Sequence, residues 1–240
     1  MNVLVIACHP DDTEIECGGT VAKCVARGDK VTVCHVSSGS LGHMVIMPDE
    51  LKKIRAQEAQ NAGALIGTDV IWAGFDDLDI YDNNKEARDR LVDVIRYANP
   101  DFIITHNPDD YMPDHTAVSR LAFDASFAAT LPHYEYTKHF SDENSPISKL
   151  VPIYYMSSAN GVGFIPEEYV DITDYIDVKL DMLACHKSQH EWLGDHTGTD
   201  FIEKTRTVSR YLGYQCGATY AEGFRVCRAS LKLTTKRYLP

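Results

Sequence analysis

The sequence predicts an α/β fold in which helices flank a Rossmann-like, mostly parallel β-sheet. Short apolar runs rich in valine and isoleucine alternate with longer segments of helical periodicity, a pattern typical of parallel sheets with crossover helices. Histidine and aspartate directly follow two of these runs, in loops that a parallel sheet would place at one edge. The 240 residues contain no repeats and no linker-like tracts, so a single domain over residues 1–240 is expected.

Each predicted strand is a short apolar run bounded by glycine, proline or polar turn residues. These runs carry the branched side chains that strands favour, and they are too short to show the periodicity of an amphipathic helix. The predicted strands lie at residues 3–8, 30–36, 69–75, 101–106, 151–157 and 220–226.

The helices are predicted from apolar residues at helical spacing between start and stop signals. Gly18 and Gly19 should lead into the first helix, Pro48 begins and Gly67 ends the second, and Asp174 is an expected N-cap. Helices are predicted at residues 20–28, 48–67, 85–100, 175–189 and 201–217, with another beginning near residue 115, and loops at 130–150 and 190–200.

Composition and charge exclude several classes of function. The net charge of −12 and the isoelectric point near 5.2 argue against nucleic acid or an anionic membrane as the main partner. No signal peptide or membrane span is predicted, and the seven cysteines lack any CxxC spacing. We therefore expect a cytoplasmic protein that acts on a small, polar or neutral substrate.

The most informative motif follows the first predicted strand and contains His9, Asp11 and Asp12. Imidazole and carboxylate are good ligands for a divalent metal of the zinc or iron type. Two consecutive carboxylates point in different directions, so one can bind the metal while the other reaches a metal-bound water. The alternative is a turn in which both aspartates cap the following helix.

A second cluster follows the fourth predicted strand, where Asp114 and His115 stand at the start of a helix. The carboxyl ends of parallel strands meet at one edge, so His115 could complete a set of three ligands with His9 and Asp12. Such a set leaves coordination positions open, as a catalytic metal site requires. Asp114 could accept a hydrogen bond from an imidazole and fix its tautomer.

Arg55 and Glu58 are three residues apart on the second predicted helix. This spacing makes them neighbours on the helix surface, where most such pairs are solvent-exposed and contribute little to stability. The spacing alone therefore favours a surface ion pair.

Taken together, the motifs HPDDTE and PDDYMPDH resemble the LmbE-like, or PIG-L, family of metal-dependent N-deacetylases. The Gly18–Gly19 pair and the segments RAQE, HKSQ and YAEGF also resemble this family and extend the likeness over almost the whole chain. The resemblance implies a Rossmann-like fold with one zinc ion, or sometimes iron(II), and a substrate of the N-acetylglucosamine type.

The resemblance also implies residue roles. His9, Asp12 and His115 would bind the metal, and Asp11 would be the general base toward a metal-activated water. Asp114, the second expected catalytic residue, would be its partner carboxylate. Substrate contacts are expected for Arg55, Tyr111 and His186. In this interpretation Arg55 is more than a member of a surface pair.

One position departs from the family pattern. Many members have a histidine two residues before the aspartate of the second motif, where it steadies the oxyanion or protonates the leaving amine. Met112 occupies that place here and can do neither. Either His106, Tyr111 or His186 supplies this function, or the metal and Asp11 suffice.

Two other functions remain open from the sequence. The chain could be an amidase that acts on a larger glycoconjugate, such as a thiol–sugar conjugate or an antibiotic precursor. It could also be a catalytically weakened member of the family that binds metal or sugar, because Met112 stands in place of the family histidine. We expect a homo-oligomer because soluble oligomers are common. A dinucleotide-binding protein is disfavoured because GxGxxG is absent after the first strand.

Overall fold

The predicted fold class is confirmed by the structure, a computed structural model that describes residues 1–158 and 161–240, except for the side chains of residues 195 and 197. Helices cover both faces of a seven-stranded sheet in the order β3-β2-β1-β4-β5-β7-β6. The first four strand pairs in this order are parallel, whereas β7 runs antiparallel to both of its neighbours. The strands are β1 Asn2–Ala7, β2 Lys30–Ser37, β3 Asp69–Phe75, β4 Phe102–Thr105, β5 Ile153–Met156, β6 Glu168–Asp171 and β7 Ala221–Val226.

Seven α-helices are found among the described residues, with a short 3-10 helix at Thr173–Tyr175 before the fifth. Within the described ranges, no helix combines the length and the hydropathy that a membrane span requires. The helices are α1 Asp12–Ala26, α2 Pro48–Ile66, α3 Lys85–Ala98, α4 Pro113–Ala128, α5 Ile176–Leu183, α6 Lys187–Thr197 and α7 Phe201–Cys216.

The core lies on both faces of the sheet because the central strand is buried on both. Along β1, Leu4 and Ile6 pack on one face with residues of α3 and α4. Val3 and Val5 pack on the other face with residues of α1 and α5. A strand buried on both faces reads as a continuous apolar run, which explains why the sequence predicted β1 so clearly.

Helix α1 begins earlier than predicted, at Asp12 instead of Thr20. Its backbone has a kink at Cys17, where φ is −144° and ψ is 15°. Gly19 lies just after the kink, and a Cβ there would come within 2.8 Å of the Ile172 side chain. The glycine therefore permits close packing of α1 and does not mark the start of the helix.

The segment 175–200 also differs from the prediction. A break at His186 separates α5 from α6, and α6 covers most of the stretch that was predicted to be a loop. The first turn of α6 is capped by another helix, because Ser188 donates to the Glu58 carboxylate from its amide at 2.8 Å and its hydroxyl at 2.7 Å. No local sequence signal reveals such a cap.

Two smaller predictions near this segment were wrong. Asp174 is not an N-cap, since it lies within the 3-10 helix and α5 begins only at Ile176. Strand β6 was missed because it is a four-residue edge strand with only Val170 fully buried, so no apolar run marks it.

The topology brings the two motifs together. Strands β1 and β4 are parallel neighbours, with Val5 paired to Ile104. Both loops that follow them therefore leave the same edge of the sheet. The first carries His9 to Asp12 and the second leads to His115 at the start of α4.

Candidate metal centre and active site

Three side chains from the two loops present their ligand atoms to one another. His9 Nδ1 lies 3.3 Å from His115 Nε2, and His115 Nε2 lies 3.4 Å from Asp12 Oδ1. His9 Nδ1 lies 3.6 Å from Asp12 Oδ2. Two imidazole nitrogens and a carboxylate at these separations match the donor set of a zinc or iron site with open positions.

The outward nitrogen of each imidazole faces a further carboxylate. His9 Nε2 lies 3.3 Å from Asp114 Oδ2, and His115 Nδ1 lies 3.3 Å from Asp110 Oδ2. Carboxylates behind ligand histidines orient the rings and fix their tautomers. Asp114 therefore contacts an imidazole, which is that of His9 and not that of the adjacent His115.

Three overlapping groups of donors could hold an ion in the described part of the chain: the set just described, Cys8 with His9 and Asp114, and His106 with Asp110 and His115. Only the first consists entirely of residues that line the cavity beside it. A catalytic metal needs a position open to water and substrate. The geometry therefore favours the set formed by His9, Asp12 and His115.

The negative charge of the Asp12 carboxylate is stabilised by the histidines beside it. Burial alone would raise the pKa of Asp12, but the His115 and His106 rings beside it hold this pKa well below its usual range. The Asp12 carboxyl is therefore ionised. Its Oδ2 also accepts a hydrogen bond of 2.6 Å from the His9 amide, which fixes the turn between them.

Asp11 has an uncommon backbone conformation. Its φ is 115° and its ψ is −25°, in the left-handed region that non-glycine residues rarely adopt. Such conformations cost about 1–3 kcal/mol and persist where surrounding contacts enforce them. The Asp11 carboxylate lies beside Arg55, whereas that of Asp12 lies beside the imidazoles of the donor set, so the two adjacent carboxylates occupy different places.

Arg55 holds Asp11 in this conformation. Its Nη2 donates to the Pro10 carbonyl and lies 3.2 Å from Asp11 Oδ2, while its Nη1 donates to the Gly39 carbonyl at 2.9 Å. Gly39 leaves room for this approach, since a Cβ there would lie 2.4 Å from Arg55 Nη1. Arg55 is buried, so it is not part of the exposed ion pair that its spacing favoured.

The protonation of Asp11 suits a role in proton transfer. Burial raises the pKa of its carboxyl to about 6, against the nearby Arg55 guanidinium, which lowers it. A carboxyl with a pKa near neutrality can accept a proton at one stage of a reaction and release it at another.

A cavity of about 410 Å³ opens beside the donor set. Its volume falls in the range of small-molecule sites. The lining comes from α1, α2, α4, α6, α7 and the loops after β1, β2, β3 and β4. It includes His9, Asp11, Asp12, Glu16, Leu41, Arg55, Asp77, Leu78, Tyr111, Met112, Asp114, His115, Gln189, Trp192, Leu193 and Lys204.

The predicted substrate-binding residues differ in their relation to this cavity. Tyr111 lines it and is 72 % exposed, and Arg55 lines it although its guanidinium is bound to backbone carbonyls and Asp11. His186 is fully buried and is not among the lining residues. Its Nε2 instead lies 3.4 Å from Glu14 Oε2, so the structure gives His186 no direct access to a substrate.

Met112 lines the cavity at the place where many family members have a histidine, so another residue would have to supply the function of that histidine. His106 cannot act there, because it is fully buried and its Nε2 accepts a hydrogen bond of 2.8 Å from the Cys8 amide. Burial also lowers the pKa of His106 to about 4. Of the three residues considered from the sequence, only Tyr111 reaches the cavity.

The sequence reasoning missed two residues of the site. Asp110 stands behind His115, and Glu16 lies in the cavity wall. The signal for Glu16 was its position four residues after Asp12, which places both on one face of a helix. It was overlooked because the helix was expected to begin only at Thr20.

Comparison with known proteins identifies a family and several relatives of this chain. The sequence profile of the PIG-L family, described as GlcNAc-PI de-N-acetylase, matches residues 4–126, just over half of the chain. The sequence is 29% identical to diacetylchitobiose deacetylase from Thermococcus kodakarensis, over 93% of this chain and 82% of the relative. It is also 26% identical to 4-oxalmesaconate hydratase from Pseudomonas putida, over 93% of this chain and 88% of that enzyme.

The fold is shared with solved structures as well. The N,N'-diacetylchitobiose deacetylase of Pyrococcus horikoshii superposes with a TM-score of 0.77 and 25% identity, over 94% of this chain and 83% of the other. The profile match includes both loops that carry the donor set, as well as Asp11 and Arg55. The chain therefore belongs to the PIG-L family.

Proposed function

We propose that this protein is a metal-dependent N-deacetylase that hydrolyses the acetamide of an N-acetylglucosamine-type sugar or conjugate, with zinc as its metal and iron(II) as the alternative. One observation carries the proposal. Two imidazoles and a carboxylate converge in the wall of a cavity that is also lined by Asp11, whose backbone is strained. The deacetylases among the relatives support the same chemistry.

His9, Asp12 and His115 would hold the ion. A divalent ion there supplies Lewis acidity, which polarises the amide carbonyl and lowers the pKa of water toward roughly 7. Asp11 then takes a proton from the attacking water, and Arg55 keeps its carboxyl in place. Asp114 and Asp110 hold the two imidazoles from behind, which makes Asp114 a positioning residue in this scheme.

The cavity wall suits a sugar. Tyr111 and Trp192 present aromatic rings that can pack against the C–H groups of a pyranose, while Gln189 and Lys204 offer polar groups for hydroxyls. Apolar walls with a few directed polar groups are typical of small-molecule sites. A larger glycoconjugate would use the same metal chemistry, so a panel of N-acyl sugars and conjugates is needed to define the substrate.

The hydratase among the relatives suggests hydration of a carboxylate as a second candidate function. Its name gives its substrate as 4-oxalmesaconate, a carboxylate anion. The charges of this cavity disfavour such a substrate. Lys204 and Arg55 are the lysine and arginine among its described lining residues, and Arg55 is already paired with Asp11. Five acidic side chains line the same cavity: Asp11, Asp12, Glu16, Asp77 and Asp114.

The proposal is tested by an assay of free amine and acetate release from N-acetylglucosamine and N,N'-diacetylchitobiose by the metal-loaded protein. The variant Asp11→Asn should keep its metal content and lose on the order of 10²–10⁴-fold in kcat, the usual contribution of a general base. The variant Asp109→Asn, which removes an exposed carboxylate outside the cavity, is the matched control and should keep the wild-type rate.

Two results would contradict the proposal. One is a metal-loaded protein that releases no amine from any N-acyl sugar but hydrates an unsaturated carboxylate. The other is an Asp11→Asn variant with a near-normal rate, which would remove Asp11 from the base role.

We further propose that the protein acts in the cytoplasm and assembles as a homo-oligomer. All seven cysteines are free thiols in the structure, which fits a reducing compartment. Fractionation of the native host and the mass of the protein in solution are the respective measurements.

A further inference from the structure

Amide hydrolysis needs a proton donor as well as a base, because the amine leaves far more easily when its nitrogen is protonated. Few groups in the cavity wall can fill this role. Met112 has no proton to give, and the Arg55 guanidinium is bound to Asp11 and two carbonyl oxygens. Asp11 is assigned to the attacking water.

Glu16 is placed to supply the proton. It lies one helical turn after Asp12 on α1, and the two side chains therefore share one face of the helix. Its side chain is half-buried and lines the cavity. Among the contacts of the described residues, the Glu16 carboxyl has no hydrogen-bond or ion-pair partner, so it is free to meet a substrate.

The charged groups around Glu16 come from helices α1, α4 and α5 and from the loop after β4. Lys179 of α5 is the nearby cation, but its Nζ is bound to Glu222 at 2.6 Å. Asp12 on the same helix and Asp110 after β4 oppose ionisation of Glu16, while His115 favours it. Burial raises the pKa of the Glu16 carboxyl to about 8, against the effect of Lys179, so the carboxyl carries its proton at neutral pH.

We propose that Glu16 is a catalytic residue that donates a proton to the departing amine nitrogen, an inference that rests on the proposed deacetylase function. Asp11 takes one proton from water as the water oxygen bonds to the carbonyl carbon. The C–N bond then breaks, its electron pair stays on nitrogen, and the nitrogen receives the proton of Glu16. The products are the amine and the carboxylic acid, and exchange with solvent deprotonates Asp11 and reprotonates Glu16.

The test compares two substrates in Glu16→Gln, which keeps the shape of the side chain and removes its acidic proton. One substrate is the N-acetyl sugar that the wild type cleaves best. The other is 4-nitrophenyl acetate, whose 4-nitrophenolate leaves without protonation. We expect kcat/KM for the amide to fall on the order of 10²–10⁴-fold, the range of general acid catalysis, with kcat/KM for the ester little changed.

The pH dependence gives an independent readout. With wild-type protein, kcat/KM for the amide should decline as pH rises through the pKa of Glu16, because only the protonated form donates. This alkaline decline should be absent from the ester profile and from the residual amide activity of Glu16→Gln. Glu16→Asp, which keeps an acidic proton on a shorter side chain, should retain the decline and recover part of the rate.

Metal content and unfolding temperature of each variant show whether the site is intact, and Asp109→Asn serves as an acid-to-amide control outside the cavity. Amide activity that survives in Glu16→Gln would overturn the proposal, and equal losses on both substrates with metal retained would do the same. A wild type that cleaves the ester but no N-acyl sugar refutes the proposed function and the role of Glu16 together. If Tyr111→Phe loses amide cleavage and Glu16→Gln keeps it, the proton donor is the tyrosine and not Glu16.

Discussion

At the scale of single residues, the role of Arg55 beside Asp11, the proposed general base, has more than one interpretation. The sequence resemblance suggests that Arg55 contacts the substrate, and the residue does line the cavity. Its hydrogen bonds instead go to the Gly39 and Pro10 carbonyls, and its remaining contact is with Asp11. This arrangement fits a positioning residue that holds Asp11 in its strained backbone conformation.

The variants Arg55→Lys and Arg55→Met should separate these roles. If Arg55 positions Asp11, kcat should fall on the order of 100-fold, as expected when a catalytic group moves by about 1 Å, while KM changes little. Lysine should recover only part of the rate, because a single ammonium cannot bond both carbonyls and Asp11 in the same fork. Steady-state kinetics on the best N-acetyl sugar is the measurement.

Lys52→Met provides the control for the loss of a cation from the same helix. Lys52 pairs with Asp76 at 2.8 Å on the surface, outside the cavity lining, and its removal should leave both kinetic constants unchanged. A rise in KM with unchanged kcat in the Arg55 variants would instead show that Arg55 binds the substrate directly.

The donor set shows which parts of the site could be predicted from sequence. The sequence predicts His9, Asp12 and His115 as a set because residue type, spacing and position after a strand are all local properties, and the structure brings their ligand atoms together. The contact of Asp110 with His115 depends on the path of the loop after β4. The burial of His186 depends on the break between α5 and α6. Neither of these features is local.

At the scale of secondary-structure elements, the kinked helix α1 is held by a strand from the far end of the chain. Glu222 of β7 accepts hydrogen bonds from the amides of Gly19 at 2.9 Å and Thr20 at 2.7 Å, just after the kink. It also accepts one of 2.6 Å from Lys179 Nζ. Glu222 thus caps the part of α1 that follows the kink, as carboxylates do at helix N-termini.

Loss of this cap should weaken the fold. In Glu222→Gln the buried Lys179 ammonium loses its counter-charge, and breaking a buried ion pair at one partner typically costs about 3–5 kcal/mol. We expect the free energy of unfolding to fall by roughly that amount, measured by denaturant titration. A variant that also carries Lys179→Met should recover part of the loss, because no unpaired charge remains buried.

Equal stability of the wild type and Glu222→Gln would show that the cap contributes little. A double variant less stable than Glu222→Gln would indicate that Lys179 stabilises the fold through contacts other than the ion pair.

The elements also show the limit of sequence-based prediction. Buried strands such as β1 were evident because burial on both faces leaves a continuous apolar run. Helix α6 was not evident, because its N-terminal cap is Glu58 on another helix. The kink of α1 likewise depends on packing against Ile172 and on Glu222, both far away in the sequence.

At the scale of the whole molecule, the donor set joins segments about a hundred residues apart. His9 and Asp12 follow β1, whereas His115 begins α4. Only the paired strands β1 and β4 bring these segments to one edge, so an unfolded chain holds no comparable site. A ligand that binds only the folded state stabilises that state by mass action.

Removal of metal should therefore lower the melting temperature. An ion present at about 1,000 times its Kd adds about 4 kcal/mol, and for a chain of this size each kcal/mol shifts Tm by roughly 2–4 °C. We expect the chelated protein to melt roughly 8–16 °C below the zinc-loaded protein, by differential scanning calorimetry. His115→Ala should bind zinc more weakly and lose most of this difference, whereas Asp109→Asn should keep it. An identical Tm with and without zinc, together with no zinc uptake by the wild type, would exclude the donor set as a metal site. Both polar loops would then have to be explained as parts of a metal-free binding cavity, and the proposed hydrolysis would lose its source of activated water.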